Sequence, residues 1–201
     1  MAKKPLLAPG QGETVRREIV EAANRLFYHR GYNQTSFTDI AEAAGIPRGN
    51  FYYYFKTKDD ILGAVIDARI ENIQTMLVEW DAVDPDPRQR LKRFAQMIRG
   101  SEKDLLRYGC PMGSLNIELG KAQPALKARA KKMFDLFIDW LTRQLAALGQ
   151  ADAARLALQV MGRVQGVAVM TQVYGDREFL RAQLAEFDAW IESLPAQRPA
   201  K

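Results

Sequence analysis

Residues 48–55 read Arg-Gly-Asn-Phe-Tyr-Tyr-Tyr-Phe. On a helix, Phe51 and Phe55 stand four apart on one face and can anchor it from behind. Arg48, Asn50, Tyr52 and Tyr53 then point away from that anchor. The asparagine amide matches the donor–acceptor edge of adenine, and arginine reaches a guanine edge or a phosphate. The tyrosines offer hydroxyls to phosphates and ring faces to thymine methyls. Lys58 begins a further helix, and Thr35 and Ser36 begin an earlier one, beside backbone amides that suit a phosphate. This is chemistry for reading double-stranded DNA.

Bond-making chemistry finds little material. One cysteine, Cys110, excludes an internal disulfide and a cysteine-based metal cluster. One histidine, His29, makes a histidine zinc site or a His-dependent triad untenable, and its place near a helix C-terminus suits a side chain that favours the dipole. There is no Gly-rich phosphate loop after a strand. The expectation is a protein that is not an enzyme and has neither metal nor cofactor. The net charge is +5 with a pI near 9.3, which favours nucleic acid weakly. Residues 1–66 hold nine Lys/Arg and seven Asp/Glu, so a DNA surface must arise from where charges stand. No apolar run approaches the roughly 20 residues that cross a membrane. Residues 1–12 lack a signal-peptide core of roughly 7–15 apolar residues. A cytoplasmic protein with no membrane partner is expected.

The elements that position these residues read as all-α, with about nine helices. Residues 1–12 form a basic, flexible arm. Val15, Ile19, Ala22, Ala23, Leu26 and Phe27 recur at helical spacing from Thr14, and Gly31 can end that helix. Ser36 caps a short helix over 37–44, Gly45 turns the chain, and Pro47 opens a third helix over 48–55. Thr57 caps a long helix that Asp84-Pro85-Asp86-Pro87 terminates. Further helices are expected over 87–107, 115–119, 124–148, 151–174 and 176–193, with a short tail over 195–201. The domains are then a helix-turn-helix head over 13–57 and a helical domain over 58–194.

Two short helices on a glycine turn, braced by a first helix, are helix-turn-helix geometry. Gly31-Tyr32, Thr35-Ser36, Ile40-Ala41, Ala44-Gly45 and the run from Gly45 through Arg48-Gly49-Asn50-Phe51-Tyr52-Tyr53-Tyr54-Phe55-Lys56-Thr57-Lys58 to Asp59 closely resemble the signature of the TetR/AcrR repressors. The match covers about residues 14–62. The resemblance implies a homodimeric repressor that binds palindromic operator DNA. It assigns base or phosphate contacts to Thr35, Ser36, Arg48, Gly49, Asn50, Tyr52, Tyr53 and Lys58. Many members carry histidine where this chain has Tyr53, a departure from the family pattern at a base-facing position.

The resemblance also implies a small-molecule inducer pocket in the larger domain. Aromatic and Met-rich surfaces between helices suit small apolar ligands, although such stripes are mostly core. The candidates are Trp80, Phe94, Met97, Tyr108, Met112, Phe134 and Phe137, with Asn116, Gln165 and Tyr174 for polar contacts. Val160, Val164 and Val167, beside Gly162 and Gly166, together with Phe187 and Trp190, make a candidate dimer seam of two helices per subunit. Cys110 admits two readings. Its Gly-Cys-Pro context resembles family members that sense oxidants or electrophiles, and a helix N-terminus with Arg107 nearby can activate a thiol. Otherwise it is a small apolar packing residue.

Overall fold

A computed structural model of the protein describes residues 11–120 and 123–195, with the backbone alone at positions 11, 48 and 49. Ten helices and no strand occur among the described residues: α1 Gln11–Arg30, α2 Phe37–Ala43, α3 Arg48–Tyr54, α4 Lys58–Val83, α5 Pro87–Gly100, α6 Glu102–Tyr108, α7 Pro111–Leu119, α8 Pro124–Ala147, α9 Ala153–Tyr174 and α10 Arg177–Ser193. The all-α expectation holds. The expected arm over 1–12 and tail over 195–201 fall almost wholly outside the described residues, and α1 already begins at Gln11.

The tenth helix comes from a break in the segment expected as one helix over 87–107. Gly100 and Ser101 interrupt it, and the Ser101 hydroxyl donates to the Met97 carbonyl at 3.1 Å. Serine and glycine are poor helix propagators, and a hydroxyl bonded back to the preceding turn bends the chain. The segment expected as a helix over 115–119 is longer, because Pro111 opens α7.

Two cores carry the fold. The first joins α1, α2 and α3 through Ile19, Ala23, Phe27, Ile40, Phe51 and Phe55. It continues without interruption into Ile61, Leu62, Val65 and Ile66 of α4, Leu115 and Leu119 of α7, and Met133 of α8. Packing therefore does not break at 57/58, where the head was expected to end. The second core gathers Phe94, Phe137, Trp140, Leu141, Met161, Leu184 and Phe187 from α5, α8, α9 and α10. Helix α4 spans both and is the rigid connection between them.

Candidate nucleic-acid interface and internal cavity

The head is built as its caps require. The Ser36 hydroxyl accepts from the Asp39 amide at 3.1 Å, and the Asp39 carboxylate accepts from the Ser36 amide at 2.7 Å. The Ser36 hydroxyl, which donates to that carboxylate at 2.6 Å, and the Ser36 amide, with Arg30 nearby, hold the Asp39 carboxyl below its usual value. Gly45 turns the chain at φ 67°, a conformation that favours glycine, and sends it into α3. Phe51 and Phe55 are buried and anchor α3, as their spacing requires. Tyr52 and Tyr53 remain more than half exposed, at 53 % and 55 %. Tyr52 lies flat on Phe37 at 4.9 Å, and Tyr53 meets Tyr54 edge-on at 5.3 Å. Asn50 and Ser36 are exposed beside them. The side chain of Arg48 and the exposure of Gly49 lie outside what the structure describes.

Two of the expected contact residues sit elsewhere. Thr35 is buried, and its hydroxyl donates to the Gly31 carbonyl at 2.7 Å, so the side chain faces the head and not a phosphate. Lys58 folds back. Its ammonium donates to the carbonyls of Tyr32 and Thr35 at 2.8 and 3.0 Å and lies 4.2 Å over the Tyr32 ring. It closes the α1–α2 turn by joining the Thr35 carbonyl to the Tyr32 carbonyl, which also accepts from the Thr35 amide at 3.3 Å.

The head is fastened to the larger domain at several points. Gly31, at φ 89°, reverses the chain so that the amides of Tyr32 and Asn33 both donate to the Glu118 carboxylate of α7, at 2.9 and 2.6 Å. A Cβ at Gly31 would stand 3.0 Å from that carboxylate. The Tyr28 hydroxyl donates to the Gly109 carbonyl at 2.9 Å. His29 stacks on Tyr108 at 4.3 Å. Gln123 donates to the Tyr32 hydroxyl and to Asp59 at 3.2 Å each, and the Tyr32 hydroxyl donates to Asp59. Burial pushes the Tyr28 and Tyr32 phenols up to about 12, with Asp104 adding to the first and the Asp59 hydrogen bond to the second, so both stay protonated donors.

Behind these contacts lies a cavity of about 450 Å³. Five of the expected ligand residues line it: Phe94, Met97, Met112, Phe137 and Gln165. Five do not. Trp80 packs edge-on against Trp140, Tyr108 is covered by His29, Asn116 donates to the Met112 carbonyl, Phe134 packs on the second core, and Tyr174 is exposed at the end of α9. The missed residues include Asn24 and Tyr28 of α1 and Arg69 and Asn72 of α4. One signal was present. Arg69 falls on the apolar stripe of α4, three and four residues from Ile66, Val65 and Ile73, where a charge needs a reason.

The expected dimer seam also turns inward. Val164, Val167 and Phe187 line the cavity, Val160 is buried, and Trp190 stacks on Phe187 at 5.5 Å. The outward face of α9 is a second apolar stripe. Leu158, Gly162, Gly166, Val169 and Val173 are exposed, and a Cβ added at either glycine would meet nothing within 4 Å. Ala182, Ala185 and Ala189 form the exposed small-residue face of neighbouring α10.

Cys110 is the N-cap of α7, and its sulfur accepts from the Gly113 amide at 3.4 Å. This is a structural position, and no finding favours the thiol-sensor alternative. Among the described residues no group of three His, Cys, Asp or Glu side chains could hold a metal, and no helix is long and apolar enough to cross a membrane.

Comparison with known proteins gives this geometry a setting. Residues 19–65 match the family model described as bacterial regulatory proteins, tetR family. Residues 87–186 match that of the LmrA/YxaF-like transcriptional regulator C-terminal domain. The chain is 25 % identical over 193 residues to the HTH-type transcriptional regulator TtgR of Pseudomonas putida, covering 91 % of this chain and 90 % of that protein. It is 28 % identical over 172 residues to an HTH-type transcriptional regulator from the lacX 3′ region of Lactococcus lactis, covering 83 % and 88 %. Among solved structures, a TetR transcriptional regulator from Legionella pneumophila is 25 % identical, with a TM-score of 0.78 over 93 % of this chain and 99 % of its own. A TetR regulator from Chloroflexus aurantiacus shares the fold at 22 % identity, with a TM-score of 0.79 over 90 % and 96 %. The chain belongs to the TetR family of bacterial regulatory proteins and is a DNA-binding transcriptional regulator.

Proposed function

We propose that this regulator is a cytoplasmic homodimeric repressor that holds a palindromic operator and lets it go when a small, mainly apolar inducer fills its internal cavity. It is not an enzyme and works without a metal or cofactor. The observation that carries the reading is the shared wall of the cavity. Asn24, Tyr28 and His29 of α1, the brace of the head, line the same space as Phe94, Phe137 and Phe187 of the second core. A ligand there touches the back of the reading head directly. Binding shifts the head only if the ligand prefers the arrangement that does not fit DNA.

Operator reading rests on the exposed face of α3. Asn50, Tyr52 and Tyr53, with Arg48 and Gly49 on the same helix, enter the major groove, and Ser36 meets a phosphate at the start of α2. A dimer places two such helices in successive grooves, ~34 Å apart. The unpartnered stripes of α9 and α10 supply its interface, since exposed contiguous apolar surface of this kind marks an association site. The head over 13–57 reads DNA and the domain over 58–194 senses and dimerises, although the two share a core. The test is a gel shift with the purified protein on the DNA upstream of its own gene, run with and without compounds that raise its Tm. Retarded DNA, released by at least one such compound, is expected. DNA binding that is absent, or that ignores every stabilising compound, overturns the reading.

A further inference from the structure

Among the described residues the cavity wall holds one desolvated charge without a counter-ion, Arg69. The Nε of Arg69 donates to Asn24 Oδ1 at 2.7 Å, and its Nη1 donates to the Pro111 carbonyl at 2.9 Å. Both acceptors are neutral. Among the described residues, Nη2 has no hydrogen-bond partner and no carboxylate lies within ion-pair distance of the guanidinium. Other partly buried arginines here are answered: Arg90 by Asp81 and Arg93 by Asp84. The surrounding protein desolvates Arg69 and pulls its pKa below the ordinary arginine value, but a guanidinium remains charged. Its phenolic neighbour Tyr28 is held protonated by burial and supplies no negative charge.

A desolvated cation without a counter-ion is unfavourable for folding alone, and such groups cluster where a ligand completes them. The other cations on the cavity wall are differently placed. Arg163 pairs with Glu186, and Arg25 is exposed to solvent. One desolvated positive charge without a counter-ion calls for one negative charge. The second core supplies the apolar part of the lining, Phe94, Phe137, Met161 and Phe187, beside neutral polar groups such as Asn72 and Gln165.

We propose that Arg69 seats the carboxylate of an amphipathic monoacid whose apolar body lies against those aromatic and Met side chains. The inference rests on the ligand-responsive reading above and narrows it from apolar molecules in general to monoanions. It also supplies a route to the head. Asn24 belongs to α1, so an arriving carboxylate competes for the guanidinium with the head's own fastening.

The experiment titrates the purified full-length protein with decanoate and with decanamide, its neutral counterpart, by calorimetry. Wild-type protein is expected to bind the acid about tenfold or more tightly than the amide, the scale of one charge-assisted hydrogen bond. Arg69→Lys should keep part of that preference. Arg69→Met should lose it while still binding the amide as wild type does. Should Arg69→Met fail to fold, Arg69→Gln takes its place, since glutamine still donates to Asn24 or the Pro111 carbonyl. Equal binding of acid and amide to wild type, or a preference that survives loss of the charge, overturns the carboxylate assignment. If both compounds then still release operator DNA, the ligand-responsive reading stands alone. If neither compound binds, nor any of a wider set of acids and neutral analogues, the carboxylate site and the ligand-responsive cavity fall together.

Discussion

Tyr53 and Lys58 are five residues apart and were both expected on the DNA, yet they sit in opposite circumstances. Tyr53 is more than half exposed and makes one edge-on ring contact, with Tyr54. Lys58 is half-buried and holds two carbonyls of the α1–α2 turn. Tyr53→Ala is therefore expected to weaken operator binding by about 1–3 kcal/mol with Tm unchanged, measured by fluorescence anisotropy beside a melting curve. Lys58→Ala is expected to do the reverse. It removes two hydrogen bonds from a charged donor and should lower stability by about 1–3 kcal/mol. The dependence of operator affinity on salt should keep its slope. A slope shallower by about one unit would place Lys58 on a phosphate after all. The spacing that made Phe51 and Phe55 anchors was legible because helix geometry is local. The direction taken by the Lys58 ammonium was not, since its acceptors lie 23 and 26 residues away in sequence.

Helix α9 carries apolar residues on two sides. Leu156, Val160, Val164 and Val167 form one stripe, and Leu158, Val169 and Val173 belong to the other, with Gly162 and Gly166 between them. Periodicity identifies a helix that is apolar nearly all round and does not say which stripe faces its own chain. The packing of α8 and α10 against α9 settles it, turning the Val164 side to the cavity and leaving Val169 outside. A charge is accordingly expected to act differently on the two faces. Val169→Glu should yield folded monomers in sedimentation, because an unpaired carboxylate in an apolar interface opposes association by several kcal/mol. A Val169→Glu protein that stays dimeric would move the interface away from α9.

The whole molecule is organised around the attachment of the head. Glu118 receives two backbone amides from the turn after α1, and the Tyr28 hydroxyl, the His29 ring and Arg69 add three more links within one shared core. Such a head cannot move without disturbing α7 and α4. Glu118→Ala is expected to leave the second core intact while the amides of Tyr32 and Asn33 exchange with solvent faster by about tenfold or more, since each loses a charge-assisted acceptor. Hydrogen exchange read by NMR checks this directly. Unchanged exchange at both amides would show that Glu118 does not hold the turn.

Composition, caps and breakers determined much of this protein without help from tertiary contacts. Its helical class, the glycine turn before α3, the capping box at Ser36 and the buried anchors Phe51 and Phe55 all follow from spacings of three and four and from backbone groups that need partners nearby. The family signature lies in that same stretch, because a reading head is a local structure. Tertiary structure decided what those spacings leave open. It determined which five of the ten candidate ligand residues meet in one space, and that α1 closes that space. It also determined that Arg69 faces inward with no counter-ion among the described residues while Val164 turns to the cavity. The physical reason is the same in each case. A helix periodicity fixes faces relative to one another, but the direction a face points depends on neighbours 40 to 100 residues away in the chain, as the pairing of Asn24 with Arg69 and of Tyr32 with Glu118 shows.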